Sequence, residues 1–246
     1  MARPTALVVG VGAEQGLGAA LGRRFAAGGH HVLLAGRTRD RLERAAHAIE
    51  SAGGSAEAVV ADATQEDAVV RLLDRAMAPG QGLEPVDLVA FNAGNNRRVG
   101  LRETEAALFE EFWRVGCLAG FLVGREAARR MAPLGRGTVL FTGATGSLRG
   151  GAGIAAIAAA KAGQRMVARS MARELGPQGQ HVAHVVIDGG IDGERLRRAF
   201  PERAAAMGEG GLLHPDAIAE TYWQIHRQHR SAWTHEVDLR PFRETF

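Results

Sequence analysis

The stretch Gly10-Val11-Gly12-Ala13-Glu14-Gln15-Gly16-Leu17-Gly18 decides the fold of this chain. An apolar run at 5–11 leads into it, and a helical pattern follows as far as the glycine pair at 28–29. This order of strand, glycine turn and helix is the context that a phosphate-binding loop needs. Gly12 permits a tight turn, Gly16 lets a phosphate approach the backbone, and Gly18 lets helix and strand pack closely. The helix N-terminus offers N–H groups and a positive dipole end to the anion. A glycine turn without a ligand is the alternative.

The composition excludes several functional classes. A chain of 246 residues with 46% hydrophobic content can bury one large core. A single cysteine, Cys117, excludes a disulfide framework and a cysteine-based zinc site, and we expect no metal. No run of 18 apolar residues and no leader pattern is present, so we expect a cytoplasmic protein without a membrane segment. Net charge is +3 and aromatic content is 5%, with basic and acidic residues interspersed, which argues against nucleic-acid binding.

Strand and helix patterns alternate along the whole chain. The strand runs lack a polar–apolar alternation, which is typical of strands buried on both faces. Right-handed crossovers then predict an α/β fold with a doubly wound parallel sheet, in one domain over 1–246. Predicted strands lie at 5–11, 31–35, 56–61, 86–91, 138–142, 181–187 and 236–239. Predicted helices run from the glycine loop to 28 and over 40–51, 65–77, 103–131, 153–175, 194–207 and 215–228.

The end of the second predicted strand indicates which dinucleotide would bind. In dinucleotide folds an acidic residue there binds the ribose 2′-OH, whereas arginine accepts a 2′-phosphate. This chain has no acid at the position and instead has Arg37, which favours NADP(H) over NAD(H). A surface arginine capping the next helix is the alternative. Asp62, after the third strand, can bond the adenine edge or act as a helix-capping turn residue. Asn92-Ala93-Gly94 ends the fourth strand, where its small residues would lie against the cofactor.

Together these motifs resemble the short-chain dehydrogenase/reductase family over nearly the entire chain. The resemblance rests on the glycine spacing, Asp62, Asn92-Ala93-Gly94, Lys161 and the strand end Ile187-Asp188-Gly189. It implies a Rossmann-type sheet of order 3-2-1-4-5-6-7, a bound nicotinamide dinucleotide and a homodimer or homotetramer. In such assemblies the helices predicted at 103–131 and 153–175 pair with their symmetry mates. The implied cofactor-binding residues are Gly12, Gly16, Leu17, Gly18, Arg37, Asp62, Asn92, Ala93, Gly94, Lys161 and Gly189.

The resemblance breaks down at the catalytic positions. That family uses Asn, Ser, Tyr and Lys, and their places are taken here by Gly116, Ala144, Ile157 and Lys161. In carbonyl reduction the tyrosine protonates oxygen while hydride reaches carbon, and isoleucine has no proton to give. Lys161 is the only lysine among 30 basic residues. A compact ammonium fits between two ribose hydroxyls where a guanidinium fork is too wide, which favours retained ribose binding over chance.

Other polar residues offer replacements for the lost groups. Thr145 is the nearest one for substrate contact, and Asn95 is a second candidate. The only tyrosine, Tyr222, is predicted on a late helix, and no sequence signal brings it to the nicotinamide. The segment 189–213, rich in glycine, is predicted to be a lid over the substrate pocket. The remaining candidates, which turn or capping roles explain better, are Asn96, Asp188, Asp192 and His214.

Three functional hypotheses follow. The leading one is an NADP(H)-binding family member without the standard proton-transfer groups, hence an inactive or atypical oxidoreductase, a possible pseudoenzyme. The second is an active NADPH-dependent carbonyl or enone oxidoreductase with a relocated or substrate-supplied proton source. The third is a scaffold without cofactor, against which the glycine loop argues. The pattern does not identify a substrate.

Overall fold

The computed structural model describes residues 2–243, apart from the side chain of Arg203. Its strands are β1 Arg3–Val9, β2 His31–Gly36, β3 Ser55–Val60, β4 Leu83–Phe91, β5 Thr138–Thr142, β6 His181–Ile187 and β7 Glu236–Leu239. Its helices are α1 Leu17–Ala27, α2 Arg39–Ser51, α3 Glu66–Met77, α4 Ala106–Trp113, α5 Ala119–Met131, α6 Ala155–Leu175, α7 Glu194–Ala199, α8 Pro201–Ala206 and α9 Pro215–His226.

The seven strands form one parallel sheet in the order β3-β2-β1-β4-β5-β6-β7. This confirms the predicted single-domain, doubly wound α/β fold and its strand order. Every residue of β2, β5 and β6 is buried, so these strands carry apolar side chains on both faces and show no alternation.

Helices cover both faces of the sheet. One core joins α1, α2 and α9 to the sheet, and the other joins α3, α5 and α6 to the opposite face. Phe25 and Tyr222 are fully buried in the first core, and Phe91, Phe141 and Met131 in the second. The two layers hold the strand ends in fixed positions, so the loops at the carboxyl edge share a rigid support.

Most predicted bounds differ from the structure by three residues or fewer, and three differences have a structural reason or divide a predicted helix. β1 ends at Val9 because the next residue, Gly10, has a positive φ of 97°, which ends the extended conformation. The helix predicted at 103–131 is α4 and α5 joined by a π-helical turn, Arg114–Leu118. The helix predicted at 194–207 is two short helices, α7 and α8. In the described part of the chain, no helix has the length and apolar character needed to cross a bilayer.

Candidate functional site

The carboxyl edge of the sheet gathers the loops that follow β1, β4, β5 and β6. In open α/β sheets, ligands bind at this edge, where the strand order reverses on either side of β1. The loop after β1 lies against the end of β4, because the Asn92 amide donates a hydrogen bond to the Gly10 carbonyl (3.1 Å). The segment after β6 reaches the same loop, since a methyl group added at Gly193 would lie 2.8 Å from the carbonyl oxygen of Gln15.

Close backbone approach explains two glycines of the loop. A methyl group at Gly10 would lie 2.4 Å from the Ala93 nitrogen, and one at Gly18 would lie 2.8 Å from the Gly10 carbonyl oxygen. Gly18 therefore has the packing role expected for it. The positive φ of this loop lies at Gly10 (97°), and Gly12, for which a tight turn was predicted, has no positive φ. Gly12 instead borders open space, with no atom within 4 Å of an added methyl group.

Helix α1 presents a free N-terminus beside that space. Its cap is Gly16, which has no side chain to accept a hydrogen bond, and the helix begins at Leu17. The first N–H groups of a helix have no partner within the helix, and they carry the positive end of its dipole. No acidic residue lies in this first turn. The arrangement can therefore hold an anion.

The two residues predicted to contact the adenosine half lie at neighbouring strand ends. Arg37 follows β2 directly and is exposed. Asp62 follows β3, and its Oδ1 accepts hydrogen bonds from the main-chain N–H (3.0 Å) and the hydroxyl (2.8 Å) of Thr64. Asp62 thus forms the turn that precedes α3, which is the capping alternative weighed for it, while its contact with adenine stays a prediction.

Lys161 projects from α6 into the buried space behind the strand ends. Its Nζ donates to the main-chain oxygen of Thr142 (2.6 Å) and to Oε1 of Gln164 (3.3 Å). A methyl group added at Gly94 would lie 3.4 Å from the same Nζ, so the ammonium adjoins the loop after β4. Burial lowers the pKa of Lys161 from 10.5 to about 8, because the charged form loses hydration.

The structure surrounds the other three catalytic positions with close contacts. Gly116 lies in the π-helical turn, and a methyl group there would lie 2.9 Å from the Ala160 methyl carbon. The Ala144 N–H donates to the hydroxyl of Ser147 (3.0 Å), which fixes the start of the loop after β5. Ile157 lies one turn before Lys161 on α6 and lines a narrow, mainly apolar pocket with Val99, Leu108, Phe112 and Ile154.

Tyr222 does not supply a relocated acid. It is fully buried in the core on the α1 and α9 face, and its hydroxyl hydrogen-bonds the Thr142 hydroxyl (2.8 Å). Burial raises its pKa well above the usual range. Both its enclosure and its weak acidity oppose proton donation to a bound substrate.

Most of the remaining candidates form hydrogen bonds with other polar side chains or with the main chain. Thr145 donates to the buried carboxylate of Asp188 (2.5 Å), which also pairs with Arg240 (3.3 Å). The Asn95 amide donates to Glu111 (3.2 Å), Asp192 accepts two hydrogen bonds from Arg197, and His214 caps α9 by accepting from the Asp216 N–H (3.3 Å). Asn96 is exposed. The capping and turn roles expected for Asp192 and His214 are present.

The ends of the predicted lid are joined to each other. Ile191 forms a parallel bridge with Leu213, and the Leu213 N–H donates to the Gly190 carbonyl (2.8 Å). Gly189 has a φ of 155°, and a methyl group there would lie 2.7 Å from Pro241. Helices α7 and α8 therefore lie in a long loop that follows β6 and whose two ends are hydrogen-bonded to each other. The function of this loop as a lid stays a prediction.

Sequence reasoning missed a partly buried carboxylate that pairs with Arg165 and with the buried His184 of β6. Glu236 accepts two hydrogen bonds from Arg165 (both 2.6 Å), which lower its pKa to about 2. It also pairs with Nδ1 of His184 (3.1 Å), whose pKa burial lowers to about 4. The signal was a pair of histidines, His181 and His184, in the otherwise apolar β6, but the carboxylate partner of His184 lies 52 residues away.

Comparisons with known proteins agree with this architecture. The sequence profile of the short chain dehydrogenase family matches residues 5–203. Gluconate 5-dehydrogenase of Gluconobacter oxydans is 32% identical over 171 residues, which are 70% of this chain and 66% of that enzyme.

Two crystal structures extend the likeness to the whole fold. A short-chain dehydrogenase from Rhodopseudomonas palustris is 40% identical, with a TM-score of 0.82 over 97% of this chain and 99% of that one. A putative NAD(P)-dependent gluconate 5-dehydrogenase from Beutenbergia cavernae with bound NADP is 27% identical, with a TM-score of 0.84 over 97% and 95%. This chain belongs to the short-chain dehydrogenase family.

Proposed function

We propose that this chain binds NADP(H) at the carboxyl edge of its sheet and lacks the usual acid of its family, so that it is an inactive or atypical oxidoreductase. One observation carries the proposal: the glycine loop and Lys161 are kept in place, while Ile157 and Ala144 offer no proton at the positions beside that lysine.

The residues at this edge fit a dinucleotide. The N-terminus of α1 and the open space at Gly12 suit a diphosphate, and no side chain of the loop fills that space. Lys161 has three N–H donors, of which two are used by Thr142 and Gln164, so one remains for a ribose hydroxyl. When bound, the cofactor supplies or accepts hydride. The chain itself supplies binding and orientation.

Arg37 supports NADP(H) over NAD(H). Its guanidinium is exposed at the end of β2, and no ion pair engages it within residues 2–243. A planar fork of donors matches a phosphate, whereas an acid at this position would repel it. The bound NADP of the Beutenbergia cavernae structure agrees with this choice.

Calorimetric titration with NADPH and NADH tests the proposal. We expect NADPH to bind more tightly, and Arg37→Glu to weaken NADPH at least tenfold while leaving NADH unchanged. Arg39→Glu is the matched control, because Arg39 is also exposed but pairs with Glu43 on α2. If neither nucleotide binds the wild-type protein, the proposal is wrong, and the hypothesis of a scaffold without cofactor is favoured.

Lys161 supports a second candidate, an active carbonyl or enone oxidoreductase with a relocated proton source. Its pKa of about 8 allows proton exchange near neutral pH, which an ordinary lysine does not. Turnover of NADPH with a panel of carbonyls and enones, and of NADP with gluconate, tests it. Turnover that is lost on Lys161→Met and follows a pKa near 8 supports this candidate, and background rates throughout contradict it.

We also propose that the chain forms a homodimer or homotetramer through α4, α5 and α6. Large apolar side chains remain substantially exposed along these helices, at Phe109 (41%), Trp113 (40%), Phe121 (40%) and Met166 (49%). Exposed apolar patches of this kind mark protein interfaces. Sedimentation of the wild-type protein should give a multiple of 26.0 kDa, and Trp113→Glu should reduce it.

A further inference from the structure

Three polar side chains converge at the edge of the sheet opposite the glycine loop. His30 lies immediately before β2, Asp87 lies in β4 and His226 is the last residue of α9. One ligand atom from each, a ring nitrogen or a carboxylate oxygen, lies within 4.8 Å of the other two. The His30 Nε2 and Asp87 Oδ1 are 3.0 Å apart, and the two imidazole centroids are 5.4 Å apart.

We propose that His30, Asp87 and His226 bind a divalent late transition-metal ion, with Zn²⁺ the best match to two imidazoles and one carboxylate. Zinc takes nitrogen and carboxylate ligands in tetrahedral sites, and three protein ligands plus water is a common set. Tetrahedral bonds of this length put ligand atoms about 3.3 Å apart, so the widest pair must close by roughly 1.5 Å. The His30–Asp87 pair already has the required spacing.

The charge of the cluster suits a cation. Asp87 brings a carboxylate to two imidazole rings, and Arg136 approaches only the other carboxylate oxygen of Asp87, at 3.8 Å. Within the described part of the chain, the oxygen that faces His30 therefore has no cationic guanidinium beside it.

An aromatic ring and a hydroxyl group border the cluster. Trp223 packs at centroid distances of 5.6 Å from His30 and 5.5 Å from His226, which gives the cluster an apolar wall. The hydroxyl of Thr138, at the start of β5, is 2.9 Å from Nδ1 of His226 and could orient that ring or fill a coordination position. Nδ1 of His30 is buried and has no hydrogen-bond partner among the described residues. One polar atom of the cluster is therefore left without a hydrogen bond.

Binding would connect the start of β2, the middle of β4 and the end of α9. These segments are distant in sequence, which is why no motif spacing predicted the site and the sequence indicated no metal. The site is independent of the proposed nucleotide function, because it lies at the other end of the strands.

Calorimetric titration of metal-free protein with ZnCl₂ tests the inference. We expect one equivalent to bind, with the affinity reduced at least tenfold by His30→Asn and by His226→Asn. His47→Asn is the control, since His47 is exposed on α2 and lies outside the cluster. Absence of binding, or binding that neither cluster variant weakens, overturns the proposal.

A second measurement covers variants that fail to fold. Wild-type crystals soaked in ZnCl₂ should show an anomalous scattering peak between the His30 and His226 rings. A map with zinc elsewhere and none at this position overturns the proposal without any substitution.

Discussion

Replacing Ile157 with tyrosine and Ala144 with serine puts a phenol one turn before Lys161 and a hydroxyl at the end of β5. The structure supports this design at both positions. The main chain at residue 144 is extended and held by its hydrogen bond to Ser147, and residue 157 faces a pocket beside the loop after β4. The nearby ammonium would lower the pKa of the new phenol and so improve it as an acid.

The expected gain is at the low end of what a general acid contributes. Such a group is typically worth about 10²–10⁴ in rate, or about 3–5 kcal/mol. We expect roughly a hundredfold increase in NADPH-dependent reduction, because the asparagine position stays glycine. A side chain at Gly116 would meet the Ala160 methyl group at 2.9 Å, so adding Gly116→Asn requires Ala160→Gly as well.

The assay follows the loss of NADPH absorbance with a panel of ketones, and calorimetry measures NADPH affinity in parallel. The matched control is Ile157→Phe with Ala144→Ser, which has the same ring without the hydroxyl. If the tyrosine variant binds NADPH as the wild type does and yet turns over no faster than the phenylalanine control, the missing acid is not what limits this chain. That result would refute the reasoning.

Three further predictions concern stability. Glu236→Gln should destabilise the fold by about 2 kcal/mol at neutral pH. Arg165 lowers the carboxyl pKa of Glu236 from 4.5 to about 2. The contribution of Glu236 to folding stability is therefore fully present above pH 4.5 and is lost as the pH falls through 2. Below that pH, urea unfolding should give the same stability for the variant and the wild type. Gly18→Ala should cost about 1–3 kcal/mol by overpacking, whereas Gly12→Ala should leave urea stability unchanged. For Lys161, the folded pKa of about 8 lies below 10.5, so stability should rise from pH 8 to 10.5, and Lys161→Met should abolish that rise.

Much of the candidate site could be proposed from the sequence because its signals are local. The glycine spacing, Arg37 after β2 and Lys161 four residues after Ile157 are each read within a few residues. The atoms that these residues contact could not be predicted from the neighbouring sequence. Nothing in the sequence shows that Lys161 donates to the Thr142 carbonyl, 19 residues away, or that Gly10 has a positive φ.

The sequence by itself determined the parallel α/β fold, because strand and helix periodicity and glycine turns are properties of short segments. The strand order followed from the family resemblance that its motifs carry. Only the tertiary structure decided which groups the lone tyrosine and the buried histidines contact. The Tyr222 hydroxyl hydrogen-bonds the Thr142 hydroxyl, which is 80 residues away in sequence, and His30 contacts Asp87, which is 57 residues away. Such pairs form only when the layers pack, since burial and the partner that satisfies a buried polar group are set by neighbours in space.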